Sequence, residues 1–242
     1  MCQLFIKTIC EMEQDVNLKK DVLLDYTFVV DASGSMSTEV PEILEELNGQ
    51  LKELKLKYLE TKRPCRVTIA KFDTRYEVLR DQIPVEDVEL ISEEEYFARG
   101  MTALYDAMGL AINRADARVD FQVKRGTAEA LVVVFTDGRE NSSVEFSGSD
   151  IENLLKDYQE RDGWEIALIG TDLDVIRDFG KRKMQRDKMR HYEQNEKREA
   201  MYSLGLSVSE YYTAKDRSLN LNKKEQWLRE KRRREERDRL KK

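Results

Sequence analysis

Histidine and cysteine are nearly missing from this chain: 242 residues carry one histidine, His191, and three cysteines, Cys2, Cys10 and Cys65. A single imidazole in a charged segment removes most histidine-based catalysis, and with so few thiolates a structural zinc site has no ligand set. His191 itself reads as a solvated helix residue. No CxxC pair occurs, so the expectation is a reducing, cytoplasmic setting with packed or free thiols. The apolar start MCQLFIKTIC is short and runs into acidic residues instead of a cleavage site, which argues against a secretory signal. Nothing approaches the roughly eighteen consecutive apolar residues of a membrane span. A GxxxxGK[ST] loop and a GxGxxG turn after a strand are also missing, so neither nucleoside triphosphate nor dinucleotide binding is supported.

What is present is a core of ordinary size with an unusually charged end. Hydrophobic residues make up 40% and charged residues 37% of the chain. This length suits one domain of about 150 to 200 residues with an appendage. Residues 181–242 hold 21 Lys and Arg against 11 Asp and Glu, whereas residues 1–180 hold 21 against 37, so the net charge of −6 hides a two-signed molecule. The organisation predicted is an N-terminal segment (1–20), a domain (21–180), a charged helical extension (181–222) and a basic helical tail (223–242). Within the extension LGLSVSEYY brings apolar residues back toward the domain, as a strand or a helix.

Strand and helix patterns alternate along the domain. VLLDYTFVV is the near-continuous apolar run of a strand buried on both faces. Leu44, Leu47, Leu51, Leu54 and Tyr58 then recur at helical spacing, with Pro41 at the start and Pro64 beyond the end. CRVTIAKF and YEVLRDQI follow so closely that they must form an antiparallel hairpin, which places YEVLRDQI at a sheet edge. Leu104, Met108, Ala111 and Ala115 mark a second helix and AEALVVVFTDG a central strand. Ile151, Leu154, Leu155 and Tyr158 mark a third helix, WEIALIG a further strand, and DLDVIRDFG the start of another helix. The expected fold is α/β: a doubly wound, mostly parallel sheet with one antiparallel edge strand, helices on both faces and a charged C-terminal helical extension.

In such sheets ligands bind at the C-terminal ends of the strands. Three polar clusters fall there: Asp31, Ser33 and Ser35 in DASGSM, Thr102 in RGMTALYDAM, and Asp137 in VVVFTDGREN. Two carboxylates and three hydroxyls are hard oxygen donors, suited to Mg²⁺ or Mn²⁺. Each residue also has an ordinary structural explanation: Ser35 or Ser37 and Thr102 could cap helices, and Asp137-Gly138 is a common turn.

These three motifs together resemble the metal-ion-dependent adhesion site (MIDAS) of the von Willebrand factor type A domain, over roughly residues 20 to 180. The resemblance implies that Asp31, Ser33 and Ser35 hold the ion directly or through water, that Thr102 joins in one conformational state, and that Asp137 acts largely through a bound water. It further implies an open coordination position, filled by an Asp or Glu of a protein partner, and a binding role instead of catalysis. The rim of that position would be built from Gly34, Met36, Asp73, Gly100, Met101, Gly138, Arg139 and Glu140; for Asp73 a plain hairpin-turn role is an equal reading. The compact plan is similar to bacterial or phage members, which often work beside AAA+ ATPases.

Two other function classes compete. A phosphoester hydrolase could use Asp31 as nucleophile with Asp137 on the metal, but it would want a second carboxylate two residues after Asp31, where this chain has Ser33. Nucleic-acid binding could come from the tail, with eleven Lys and Arg among residues 223–242. Five acidic residues interleave them, Glu225–Arg229, Glu230–Arg234 and Glu235–Arg239 fall at helical spacing, and Trp227 is the one stacking aromatic, so a solvated or partner-docking helix is the favoured reading. The tail has no apolar stripe for a membrane surface. A chain shortened to end near Lys223 is expected to keep its fold and metal site and to lose any nucleic-acid affinity; equal, salt-dependent DNA or RNA binding by both forms would place the basic surface elsewhere.

Overall fold

The structure is a computed structural model. It describes residues 22–38, 40–170 and 189–191 and, within 204–212, Leu204, Gly205, Ser207, Val208, Tyr211 and Tyr212. The expected helix at DLDVIRDFG, the segment 1–20 and the tail 223–242 lie outside the described residues.

Among the described residues six strands form one sheet: β1 (Leu23–Asp31), β2 (Cys65–Phe72), β3 (Tyr76–Pro84), β4 (Ala128–Thr136), β5 (Trp164–Gly170) and β6 (Met189–His191), in the spatial order β3-β2-β1-β4-β5-β6. All neighbours are parallel except β2 and β3, so the hairpin edge strand is where the sequence places it. Two register shifts interrupt that hairpin. There Gln82 takes a positive φ of 54° and its N–H is received by the Thr68 hydroxyl, which bends the exposed edge away from a flat pairing surface.

Among the described residues three long helices cover the sheet: α1 (Val40–Thr61), α2 (Leu104–Lys124) and α3 (Gly148–Gln159). The apolar positions of α1 pack with Leu24, Tyr26, Phe28 and Val30 of β1 and Leu131, Val133 and Phe135 of β4 on one face. The alternate residues Val29, Ala130, Val132 and Val134 meet α2 and α3 on the other. A strand that feeds both layers is mostly apolar, which is why β1 and β4 read as near-continuous runs; in β1 the buried Asp25 and Thr27 are exceptions, and both accept from Arg118. Helix α1 stops where Lys62 turns left-handed (φ 57°) ahead of Pro64, its N–H still bonded to Tyr58 O.

The C-terminal segment departs from the sequence reading at one place and decides between its alternatives at another. Met189–His191, expected within a solvated helix, is a short strand beside β5, with Ile169 opposite Arg190. Pairing to an open sheet edge overrides the local helical pattern, because backbone ladder bonds are available there whatever the side chains. The other place is LGLSVSEYY, for which strand and helix were both open. Its described residues are helical, and Leu204, Val208, Tyr211 and Tyr212 are buried in the α1-side core. Arg63, itself buried, fastens this segment: it donates to the Tyr212 carbonyl, to Val22 O and to the Glu129 carboxylate, while the Tyr212 hydroxyl donates to Arg63 O. Core packing therefore continues past residue 180 to Tyr212.

Replacing Tyr212 by Ala removes a buried ring and the hydroxyl that satisfies Arg63 O, and should cost about 3 to 5 kcal/mol, as for other buried aromatics. The expected readout is a lower urea midpoint with an unchanged slope; a change under about 1 kcal/mol would show that the segment is not part of the cooperative core.

Candidate metal centre

Chain direction reverses around β1: the path moves outward to β2 and β3, then returns across the sheet to β4. The crevice between the C-terminal ends of β1 and β4 is therefore the switch point of the sheet, the place where neighbouring connections diverge and leave room for a ligand. Asp31 ends β1 and Thr136-Asp137 ends β4, and the register Val30–Phe135 sets Asp31 beside Thr136.

The Asp31 side chain is fully buried. One carboxylate oxygen accepts the Ser33 N–H at 2.7 Å and the other accepts the Thr136 hydroxyl at 2.6 Å. Ser33 Oγ lies 3.2 Å from Ser35 Oγ, and Ser35 Oγ donates to Asp137 Oδ1 at 2.6 Å. Thr102 joins from the loop before α2: a Cβ built on Gly138 would fall 3.0 Å from Thr102 Oγ1 and 3.8 Å from Ser35 Oγ. Position 138 thus has room for glycine where these hydroxyls converge. All five predicted donors meet at one loop edge.

Two of the ordinary explanations, helix caps by Thr102 and Ser35, do not apply. The N-cap of α2 is Ala103, without a side-chain cap bond, so the Thr102 hydroxyl is not a cap. Ser35 lies inside a 3-10 turn, Gly34–Thr38, with its hydroxyl on Asp137.

Backbone ties hold the loops in register. Gly34 N–H donates to Gly100 O, Arg99 N–H to Ala32 O, and Ala103 N–H to Asp73 O. Thr102 and Asn141 exchange bonds: Thr102 N–H donates to Asn141 Oδ1, and Asn141 N–H to Thr102 O. Tyr96 reaches in from the acidic 85–99 loop and donates its hydroxyl to the Asp31 carbonyl at 2.6 Å. Tyr96, Thr136 and Asn141 are supporting residues that sequence reasoning missed. For Thr136 the signal was available, since it precedes Asp137 at the strand end; for Tyr96 and Asn141 only the fold brings them near.

Two rim expectations, Met36 and Glu140, need revision. Met36 is fully buried in the α1-side core. In a 3-10 turn residues three apart share a face, and Met36 shares that of buried Ser33, leaving Gly34 and Ser35 outward. Glu140 does not face a ligand: its carboxylate receives the N–H groups of Tyr105, Ser142 and Ser143 and the Ser143 hydroxyl, fixing the loop after β4 to the start of α2. Asp106 returns the tie by accepting Val144, Glu145 and Phe146 N–H. Asp73 is a hairpin-turn residue, accepting Arg75 N–H at 2.8 Å, and it also pairs with Arg99 at 3.2 Å at the same edge. Gly100, Met101 and Arg139 are exposed, and Gly138 is half-buried.

Burial raises the Asp31 pKa to about 6, against the bonds from Thr136 and Ser33 that favour the carboxylate, with the Asp137 charge adding to the rise. No three His, Cys, Asp or Glu side chains cluster as a metal site among the described residues. The donors here are mostly hydroxyls, and this set fits a hard divalent cation: two carboxylates supply charge and neutral oxygens complete the shell.

The class is that of an open α/β sheet with its ligand edge at a switch point. The profile of the von Willebrand factor type A domain matches residues 25–222, and the chain belongs to that family. Its members commonly act as metal-dependent protein-interaction modules and are typically not enzymes. No curated protein matches the chain.

Among solved structures the pilus adhesin SpaC of Lactobacillus rhamnosus GG, in its open conformation, is 10% identical, with a TM-score of 0.56 over 79% of this chain and 30% of that one. A D319A mutant of the PilB minor pilin of Streptococcus sanguinis is 10% identical, with a TM-score of 0.52 over 78% of this chain and 62% of that one. A von Willebrand factor type A protein of Catenulispora acidiphila is 12% identical, with a TM-score of 0.51 over 78% and 43%. This chain spans less than two thirds of each of these proteins, and the likeness is one of fold.

Because the folded pKa of Asp31 lies above the ordinary 3.8, proton binding favours the fold. Its contribution is complete below pH 3.8 and is lost as pH rises to about 6. At neutral pH the ionised group costs the metal-free protein about 3 kcal/mol. Asp31→Asn, with Thr136 free to turn its proton to Gly138 O, should therefore raise the metal-free Tm at pH 7 and leave it nearly unchanged at pH 4. The same variant should show none of the Mg²⁺-induced rise in Tm expected of wild type; a metal-free variant less stable than wild type at pH 7 would contradict the cost assigned to Asp31.

Proposed function

We propose that this protein is a metal-dependent protein-binding module in which Asp31, Ser33, Ser35, Thr102 and Asp137 hold Mg²⁺ or Mn²⁺ and the ion receives an Asp or Glu of a protein partner. The observation that carries this reading is the buried Asp31 carboxylate set among hydroxyls, with no cationic side chain bonded to either of its oxygens among the described residues. A bound ion would supply a Lewis-acidic positive centre at the mouth of the crevice. Asp31 and Asp137 contribute the charged donors; Ser33, Ser35 and Thr102 contribute neutral ones. A cation held by few charged ligands gains most from one more carboxylate, and exclusion of water at an interface strengthens that contact. Gly34, Gly100 and Gly138 leave space at the mouth, and exposed Met101 and Arg139 offer contact area around it.

The hydrolase reading has less support. A nucleophilic Asp31 would need an oxygen open to in-line attack, whereas the side chain is fully buried and both oxygens accept bonds. We further propose a cytoplasmic setting, which the scarcity of cysteine and the lack of a CxxC pair support; no helix among the described residues is long and apolar enough to cross a membrane. An AAA+ ATPase system is a partner suggested by the family resemblance alone, and nucleic-acid contact through residues 223–242 is the weaker alternative.

Affinity capture from a native lysate, run with Mg²⁺, with EDTA and with Asp31→Ala, should recover a partner in the first case only. Calorimetric Mg²⁺ titration of the same proteins should show binding by wild type and none by the variant. Capture that ignores both EDTA and the substitution would place the partner on another surface.

A further inference from the structure

The metal edge is not electrically symmetric. On the β4 side the carboxylates are engaged in structure: Glu140 and Asp106 tie α2 to the loop 140–146. On the β2 side the tip of the β2–β3 hairpin, Asp73-Thr74-Arg75, stands at the same C-terminal edge as Asp31, since Asp31 pairs with Phe72 at the end of β2. The Gly100–Thr102 loop leans on this tip, with Ala103 N–H on Asp73 O and a Gly100 Cβ position 3.5 Å from Asp73 Cβ.

Most charges at the tip are matched. Arg99 pairs with Asp73 and Lys71 with Glu77. Arg75 is exposed, and among the described residues its guanidinium makes no ion pair or hydrogen bond; only its backbone engages Asp73. Beside it Phe97, 41% exposed, is held in place by two cations, with Lys71 Nζ 4.2 Å and the Arg99 guanidinium 4.7 Å from the ring centroid. A surplus cation next to an ordered, part-exposed ring is a surface with a free charge and a fixed shape.

We propose that Arg75 is a specificity-determining residue that receives a second carboxylate of the partner, so that the preferred ligand is an extended acidic segment with two acids one residue apart. This rests on the reading that the metal takes the first carboxylate. Neighbouring strands are about 4.8 Å apart, and the hairpin tip lies about one and a half to two and a half strand spacings from the crevice between β1 and β4, about 7 to 12 Å. Side chains two residues apart in an extended peptide are about 6.5 to 7 Å apart and point the same way, and the length of the Arg75 side chain covers the remainder of that gap. Arg99 has its charge met by Asp73, so Arg75 is the group with capacity for the second acid.

The probes are blocked peptides of sequence Gly-Asp-Ala-Asp-Gly, Gly-Asp-Ala-Asn-Gly and Gly-Asn-Ala-Asp-Gly, titrated into the full chain with Mg²⁺ at low salt. Amide chemical shifts, which register millimolar binding, give the affinities. The two-acid peptide should bind about three- to tenfold tighter than either single-acid peptide, against the twofold expected from having two acids to offer the metal. Arg75→Gln should bring the advantage down to about twofold and leave Mg²⁺ affinity and single-acid binding unchanged. An advantage that survives Arg75→Gln, or one no greater than twofold in wild type while single-acid binding still requires Mg²⁺, would overturn the assignment of Arg75. Failure of all three peptides to bind in Mg²⁺ would overturn the metal-carboxylate reading itself and this inference with it.

Discussion

A carboxylate placed where water cannot reach it governs the architecture of this protein's functional edge. Asp31 closes a strand buried on both faces, so its side chain has no solvent to turn to, and its two oxygens are met by one backbone N–H and one hydroxyl. Two neutral donors only partly offset the loss of hydration, as the raised pKa reflects. Hydroxyls gather beside it: Ser33 Oγ lies next to Ser35 Oγ, Ser35 donates to Asp137, and Thr102 Oγ1 borders Gly138.

Such an arrangement persists only because the loops are anchored from outside it. The 3-10 turn after β1 buries Met36 in the α1-side core, which fixes the turn from below while Gly34 is tied to Gly100 from the side. Glu140 and Asp106 lock the loop after β4 to the start of α2, each satisfying several backbone N–H groups at once. These carboxylates serve the backbone and not a ligand, so the acidic residues of the edge divide into two kinds, and residue type does not distinguish them. At the opposite end of the sheet Arg63 joins β4 through Glu129 to the segment ending at Tyr212, so the far end of the core is closed by residues distant in sequence. Both ends use the same device, a buried charged group whose partners come from separate elements, and at both ends removal of one partner would strand the other.

Much of this was legible in the amino-acid order, and the reason is periodicity. β1 and β4 announced themselves as apolar runs, α1 and α2 as apolar residues three and four apart, and the β2–β3 hairpin by a connection too short for a crossover. The order of those elements then forces the ends of β1 and β4 together, so the five oxygen donors could be assigned to one edge without coordinates. Those are the features that depend on local pattern and on connection length, both of which are written in the chain.

What only the tertiary structure decided depends on contacts between segments far apart in sequence. Which way Met36 points is set by the tightness of a 3-10 turn, and Glu140's role by the proximity of the α2 N-terminus. Tyr96 meets the Asp31 carbonyl across 65 residues of chain, and Tyr212 meets Arg63 across 149. The strand at Met189–His191 exists because β5 offers it an unpaired edge, against a local sequence that reads as helix. Local pattern is fixed by a few neighbouring side chains and can be read from them, whereas hydrogen-bond partners and burial at loops are settled by the packing of the whole fold.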